Sequence, residues 1–299
     1  MALPNFIIIG AAKSGTTSIY HYLKQHPQIF MCPIKEPNFF SSNPCNYTIK
    51  EYENLYKGTI DEKAIGEASP SYLRSYETPM KIKQLIPHCK IIIILRNPME
   101  RLFSDFNYSK CLGVNRGNVD DFLRKQVKNN KGSWYSLGVM IKTGMYYDQV
   151  KRYIQVFGRE KIKINLYEEL ISKSQQFILD IYKFLEVNSS FFPNIEKIYN
   201  VGSKPIIPKL SEFIGNPPAI IKNFFKFLLP MEYIKQKQLI KRILWFNVRS
   251  QKSLMSNETK SYLLKIYHED ILNLEQLIGK DLSDWLKCRE LSNCNWCMK

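Results

Sequence analysis

No stretch of this sequence stays apolar for long. The longest purely apolar runs, such as Ile91–Leu95, fall far short of the roughly 20 residues a bilayer-spanning helix needs. Low-complexity tracts and internal repeats are also missing, which excludes a disordered chain and a solenoid. The opening "MALPNFIIIG" lacks the basic n-region of a secretory signal. Cleavage there would destroy the turn that follows, so it reads as mature sequence with a cytoplasmic location. Histidine is scarce, with four in 299 residues. The seven cysteines are odd in number and mostly scattered, which suits reduced thiols. Cys288, Cys294 and Cys297 gather at the C-terminus, but no histidine follows to complete a zinc site, so they read as a tail of free thiols.

What is plentiful is positive charge. Lys plus Arg number 43 against 27 Asp plus Glu, a formal net charge of +16. Such an excess favours an anionic partner: nucleic acid, acidic lipid or a polyanionic small molecule. Hydrophobic residues make up 44% of the chain, enough for a substantial core, and the length suits one α/β enzyme domain spanning 1–299.

Strand-like runs rich in Ile and Val fall at Phe6–Gly10, Lys63–Gly66, Lys90–Leu95 and Lys161–Leu166. Helical spacing fills the gaps: Thr16–Gln25, Pro79–Ile86, Pro98–Tyr108, Tyr146–Phe157 and Gln175–Leu185. Strands alternating with helices predict a parallel sheet with helices on both faces, in which ligands sit at the carboxyl ends of strands. Residues 200–260 differ. They hold eleven Lys or Arg against three Glu and are broken by five prolines, which predicts a basic cap of short helices and loops. An amphipathic helix then runs over Ser256–Ile278.

Two strand ends carry candidate anion sites. The first is "FIIIGAAKSGTTSIYHYL", residues 6–23. A helix start offers unpaired N–H groups and a positive dipole end, and small residues let an anion approach them. Lys13 adds a charge; Ser14, Thr16, Thr17 and Ser18 add hydroxyls; Gly15 permits an unusual backbone angle. The nucleotide P-loop has its lysine after the second glycine, whereas here Lys13 precedes Gly15, so the ammonium aims at a different atom of the bound group. Alone, such a turn is equally an ordinary strand–helix junction. The second site is "KIIIILR", which ends in Arg96 where a nucleotide hydrolase often places an acidic metal ligand. Ser104 follows on the helix begun by Pro98, and an arginine plus a hydroxyl suits a phosphate monoester.

Together these residues resemble a known family. "GAAKSGTTSIYHYL" resembles the 5′-phosphosulfate loop of sulfotransferases that use 3′-phosphoadenosine 5′-phosphosulfate (PAPS), and "ILRNPMERLFSDF" is similar to the family's 3′-phosphate element. "KEPNFF", "GEASPSYL" and the closing "YHEDILNLEQLIGKDLSDW" look like segments of its carbohydrate and bacterial branch. The likeness runs from residue 6 to about 286 and is weakest over 200–255. It implies a P-loop-like three-layer α/β sandwich with a central parallel sheet, with Arg96 and Ser104 on the donor's 3′-phosphate. It also implies that a basic loop completes the nucleotide pocket, for which Lys204, Arg249 and Lys252 are candidates. The overall look is similar to cyanobacterial sulfotransferases of specialised metabolism, including those acting on saxitoxin-type guanidinium alkaloids.

The implied reaction moves a sulfuryl group in line from PAPS to a hydroxyl or amine of a small-molecule or sugar acceptor, leaving PAP. No metal is required by this scheme. Lys13 suits the bridging oxygen and the N–H groups of Ser14–Thr17 the 5′-phosphate. The resemblance implies a glutamate base at Glu36, with Lys35 beside it either tuning that carboxyl or touching the sulfuryl oxygens. Glu67 is a second candidate, either orienting the acceptor or serving as the base. His21, His26, His88 and His268 read as structural. Phe39, Phe40, Tyr72 and Trp134 either line an acceptor or adenine pocket or pack in the core. Two rivals are a magnesium-dependent P-loop kinase or NTPase and a basic membrane- or polyanion-binding protein using the amphipathic stretch 219–246. Nucleic acid is not the expected partner, and membrane contact through that stretch would be peripheral.

Overall fold

The computed structural model describes residues 3–41, 47–115, 117–126, 137–196, 203–205, 248–250 and 255–287. Five strands, β1 (Phe6–Gly10), β2 (Ile29–Met31), β3 (Ala64–Ala68), β4 (Lys90–Leu95) and β5 (Ile162–Leu166), form one parallel sheet in the order β2-β3-β1-β4-β5. Helices α1 (Thr16–Leu23), α2 (Ile49–Asn54), α3 (Thr78–Leu85), α4 (Pro98–Cys111), α5 (Val119–Gln126), α6 (Leu137–Thr143), α7 (Tyr146–Phe157), α8 (Tyr167–Ser172) and α9 (Ser174–Leu185) follow the chain between and after them. A short antiparallel ribbon, β6 (Ser203–Pro205) with β7 (Val248–Ser250), precedes α10 (Asn257–Ile278) and α11 (Ser283–Leu286).

The central strands are nearly continuous runs of Ile because both faces of the sheet are covered. Phe6, Ile8, Ile92 and Ile94 pack with Ile19 and Leu23 of α1 and Phe177, Ile178 and Ile181 of α9. Alternation sends Ile7, Ile9, Ile91 and Ile93 to the opposite face, where they are also fully buried. That makes three layers, the α/β sandwich expected from the strand–helix alternation.

The chain divides into two compact units. The first, Met1–Asn97 with Met145–Asn200 and His268–Asp284, holds the five-stranded sheet. The second, Pro98–Gly144 with Val201–Tyr267 and Trp285–Lys299, includes α4 to α6, the β6–β7 ribbon and the start of α10. Inside it, Phe106 and Phe122 meet with ring centroids 4.9 Å apart. Arg101 is fully buried, donating to Asp105 at 3.1 Å and to the Met140 carbonyl.

Two expectations shift. The strand expected at Lys63–Gly66 is β3, Ala64–Ala68, because pairing with β1 runs on through Ile7↔Glu67 and Ile8↔Ala68. Glu67 therefore lies within a central strand and not beyond its end. The edge strand β2 was not expected; three residues are too few to show a period.

Candidate active site

The turn after β1 is built for close approach. Gly15 caps α1 with φ 81° and ψ 6°, in the left-handed region that glycine tolerates. A Cβ there would stand 2.9 Å from Leu170 and 3.0 Å from the Tyr167 ring. Lys13 holds φ 69°. At the strand end, the Ala11 N–H donates to the Ile94 carbonyl at 2.7 Å, tying the turn to β4. Among the described residues no side chain caps α1, and its first turn carries no acidic residue. The positive end of that helix favours an anion. Ser14 is fully buried, and among the described residues its Oγ has no hydrogen-bond partner. A buried hydroxyl without a partner is costly unless a ligand supplies one. Thr16 and Ser18 are buried on α1, and Thr17 is half-buried between them.

Arg96, at the end of β4, reaches back to this turn. Its guanidinium donates to the Lys13 carbonyl at 3.2 Å and stacks over the Tyr167 ring at 4.6 Å. Tyr167 starts α8 just after β5, so three adjacent strands β1, β4 and β5 meet here through residues at their carboxyl ends. The Arg96 carbonyl accepts from the Tyr146 hydroxyl at 3.0 Å. Tyr146 is itself held by Asp270, whose carboxylate accepts the Tyr146 N–H at 2.7 Å and the Tyr147 N–H at 3.2 Å. Burial raises the Asp270 carboxyl from 3.8 to about 6, against the lowering effect of those two bonds.

Glu36 stands on the loop after β2, whose path is pinned along β3. The Cys32 N–H donates to the Gly66 carbonyl at 2.7 Å, the Glu36 N–H to the Ala68 carbonyl at 3.1 Å, and Tyr20 of α1 to the Cys32 carbonyl at 2.7 Å. The Glu36 carboxylate pairs with Lys35 at 2.6 Å, with side-chain exposures of 40% and 19%. Ala68 is opposite Ile8 on β1, so the Glu36 loop, after leaving β2, is tied to the carboxyl end of β3, the strand between β2 and β1.

Glu67 differs from the expectation of an acceptor contact. It is completely buried, its Oε1 accepting from Tyr52 at 2.7 Å and Tyr72 at 3.2 Å, and its Oε2 from Ser69 at 2.7 Å. Burial raises its carboxyl from 4.5 to about 7 although all three hydroxyls pull it down. Tyr72 is buried with it, and Phe39 stacks on Tyr52 at 4.1 Å. Neither Glu67 nor Tyr72 exposes an atom with which to touch an acceptor.

Ser104 lies on α4 in the second unit, and Lys204 lies on β6, which packs against α4 there. Lys204 and Arg249 are register partners across the ribbon, though separated by most of the basic cap in sequence. Lys252, Trp134, Cys288, Cys294, Cys297 and the stretch 219–246 lie outside the described residues. His26 is buried, with Nδ1 accepting from the Gln28 N–H at 3.0 Å and Nε2 therefore donating to the Asn188 carbonyl at 2.8 Å, a structural arrangement. Tyr146, Tyr167 and Asp270 were not singled out from the sequence. Asp270 had a signal: it falls on the apolar stripe of α10 between Tyr267 and Leu274.

A family model for the sulfotransferase domain matches residues 3–201. The chain belongs to the sulfotransferase family. The resemblance read from its anion turns is borne out. A sulfotransferase crystal structure from Alicyclobacillus acidocaldarius is similar over 96% of this chain and 100% of that one, at 29% identity and a TM-score of 0.70. The membrane-associated sulfotransferase kil1 of Dictyostelium discoideum is 38% identical over 112 residues, 36% of this chain and 24% of that protein. Mouse heparan sulfate glucosamine 3-O-sulfotransferase 6 is 26% identical over 170 residues, 56% of this chain and 48% of that protein. The chain thus spans half or less of these curated relatives. Among the described residues, no helix is long and apolar enough to cross a membrane.

Proposed function

We propose that this chain transfers a sulfuryl group from PAPS to a hydroxyl or amine of a small-molecule or sugar acceptor. PAPS is the donor used by its family. The observation that carries the reading is the bond from the Arg96 guanidinium to the Lys13 carbonyl, beside the buried Ser14 hydroxyl, which has no partner among the described residues. Two cationic strand ends on adjacent strands offer sites for an anion at each end of one donor.

In this reading the α1 N-terminus and Ser14 hold the 5′-phosphate, and Lys13 faces the oxygen on which charge collects as the donor's S–O bond breaks. Arg96 holds the 3′-phosphate. Glu36 takes the acceptor's proton as the new bond to sulfur forms, and PAP leaves. Lys35 steers the Glu36 carboxylate or the sulfuryl oxygens. A specialised metabolite in the cytoplasm is the acceptor class we favour, and a cationic one would find Glu36 a natural counter-charge.

Calorimetric titration with PAP, and separately with ATP and magnesium, tests the donor. Tight PAP binding without metal supports the reading, and binding of ATP–magnesium alone refutes it. An acceptor screen with labelled PAPS and mass detection of a sulfuryl adduct then identifies the acceptor. Glu36→Gln is expected to lower turnover by about 10²- to 10⁴-fold while sparing PAP affinity. Retained turnover removes Glu36 as the base.

A further inference from the structure

Glu36 and Asn38 both hold positive φ, 61° and 56°. Non-glycine residues persist there only when their surroundings over-determine the backbone. Two of the restraints are side-chain oxygens. The Asn38 N–H donates to Ser69 Oγ at 3.2 Å, and the Phe40 N–H donates to the Tyr72 hydroxyl at 3.2 Å. Both hydroxyls spend their own proton on Glu67. A hydroxyl has one proton and two lone pairs, so committing the proton fixes where the lone pairs point. Above about pH 7, where the Glu67 carboxyl is ionised, it only accepts, which makes that orientation the one available. Tyr56 donates to Tyr52 at 3.1 Å and Tyr52 to Glu67, closing the network with no exposed member.

We propose that Glu67 is a positioning residue for segment 36–40, orienting the Ser69 and Tyr72 hydroxyls so that they hold the Asn38 and Phe40 N–H groups and thereby fix Glu36. The proposal rests on the reading of Glu36 as base only for its effect on turnover; the anchoring itself is independent of it. It gives a buried carboxylate, absent from the transfer step, a task at the edge of the site.

The test is residue-resolved amide hydrogen exchange with steady-state kinetics on the full chain. Glu67→Gln keeps the shape but puts a donor among the hydroxyls. It is expected to speed exchange at Asn38 and Phe40 by about tenfold or more and to lower kcat about tenfold to a hundredfold. The KM for PAPS and the affinity for PAP stay unchanged. Ser69→Ala should release Asn38 alone, and Tyr72→Phe should release Phe40 alone, so a misfolded Glu67 variant does not end the test. Unchanged exchange in Glu67→Gln overturns the proposal, as does equal loosening of both amides by either single variant. If Glu67→Gln speeds exchange but Glu36→Gln keeps its turnover, the anchoring stands and the base assignment fails. If Glu36→Gln is inactive while Glu67→Gln matches the parent in exchange and kcat, the positioning role alone fails.

Discussion

The buried Glu67 carboxyl makes a pH-dependent claim that can be worked through. Its ordinary value is 4.5, and burial raises it to about 7 in the fold. The folded state therefore binds its proton more tightly than the unfolded chain does. The stability it contributes is fully present below 4.5 and is lost as pH rises through about 7. Between pH 5 and pH 8 that loss amounts to about 2–3 kcal/mol, at about 1.4 kcal/mol per pH unit over which only the folded form keeps the proton. The group is completely buried, so solvent screening takes little from it. The titratable groups that face it are Tyr52, Tyr56, Tyr72, Cys32 and Cys89, all raised above their usual values, so none ionises in this window. Asp270 does titrate there, at about 6, but it is common to parent and variant and cancels in their difference. Urea unfolding of the parent and Glu67→Gln, followed by tryptophan fluorescence at pH 5, 6, 7 and 8, isolates the effect. The variant loses hydrogen bonds, a roughly constant penalty, yet it should gain on the parent by about 2–3 kcal/mol as pH rises from 5 to 8. A difference that stays flat across that range refutes the reasoning.

Arg96→Lys keeps the charge but loses the planar fork and the stack on Tyr167; PAP binding measured by calorimetry should weaken at least about tenfold. Asp270→Asn removes the carboxylate that receives two N–H groups at the start of α7, and a melting curve should show a loss of about 1 kcal/mol. Because the Asp270 carboxyl is raised, its own favourable share fades as pH rises through about 6, so that penalty should shrink from pH 5 to pH 7.

The parts of the fold with long-range consequences were legible because they rest on local pattern. Isoleucine runs that ignore the strand period mean strands covered on both faces, and β1 and β4 are just that. The turn from Gly10 to Thr16 was readable as a candidate anion site because helix starts and small residues act locally. Glu67 was misjudged for the opposite reason. A glutamate in "GEASPSYL" looks exposed, and only pairing to β1 and cover from Tyr52, some fifteen residues earlier, bury it. The bond from Tyr146 to Arg96 spans fifty residues and leaves no periodic trace. Asp270 was visible as an acid on an apolar stripe, but its partner was not.

The ion pair between Lys35 and Glu36 looks like an obstacle to a base, since a carboxylate held at 2.6 Å by an ammonium is already occupied. Magnitudes argue otherwise. The pair is partly open to water, and such pairs are worth about 1 kcal/mol or less. Under the proposed role of Glu36, an acceptor would displace the lysine at small cost, and the lysine stem would let its charge swing toward developing negative charge. The backbone beneath is another matter. Glu36 is tied to β3 through the Ala68 carbonyl, and two residues on, Asn38 is tied through Ser69 to a carboxylate with no access to solvent. Loosening that root would release a strained pair of positive φ angles, a change of order 1–3 kcal/mol each. A mobile head on a fixed root suits a group that must stay in reach of a proton while its charge partner changes.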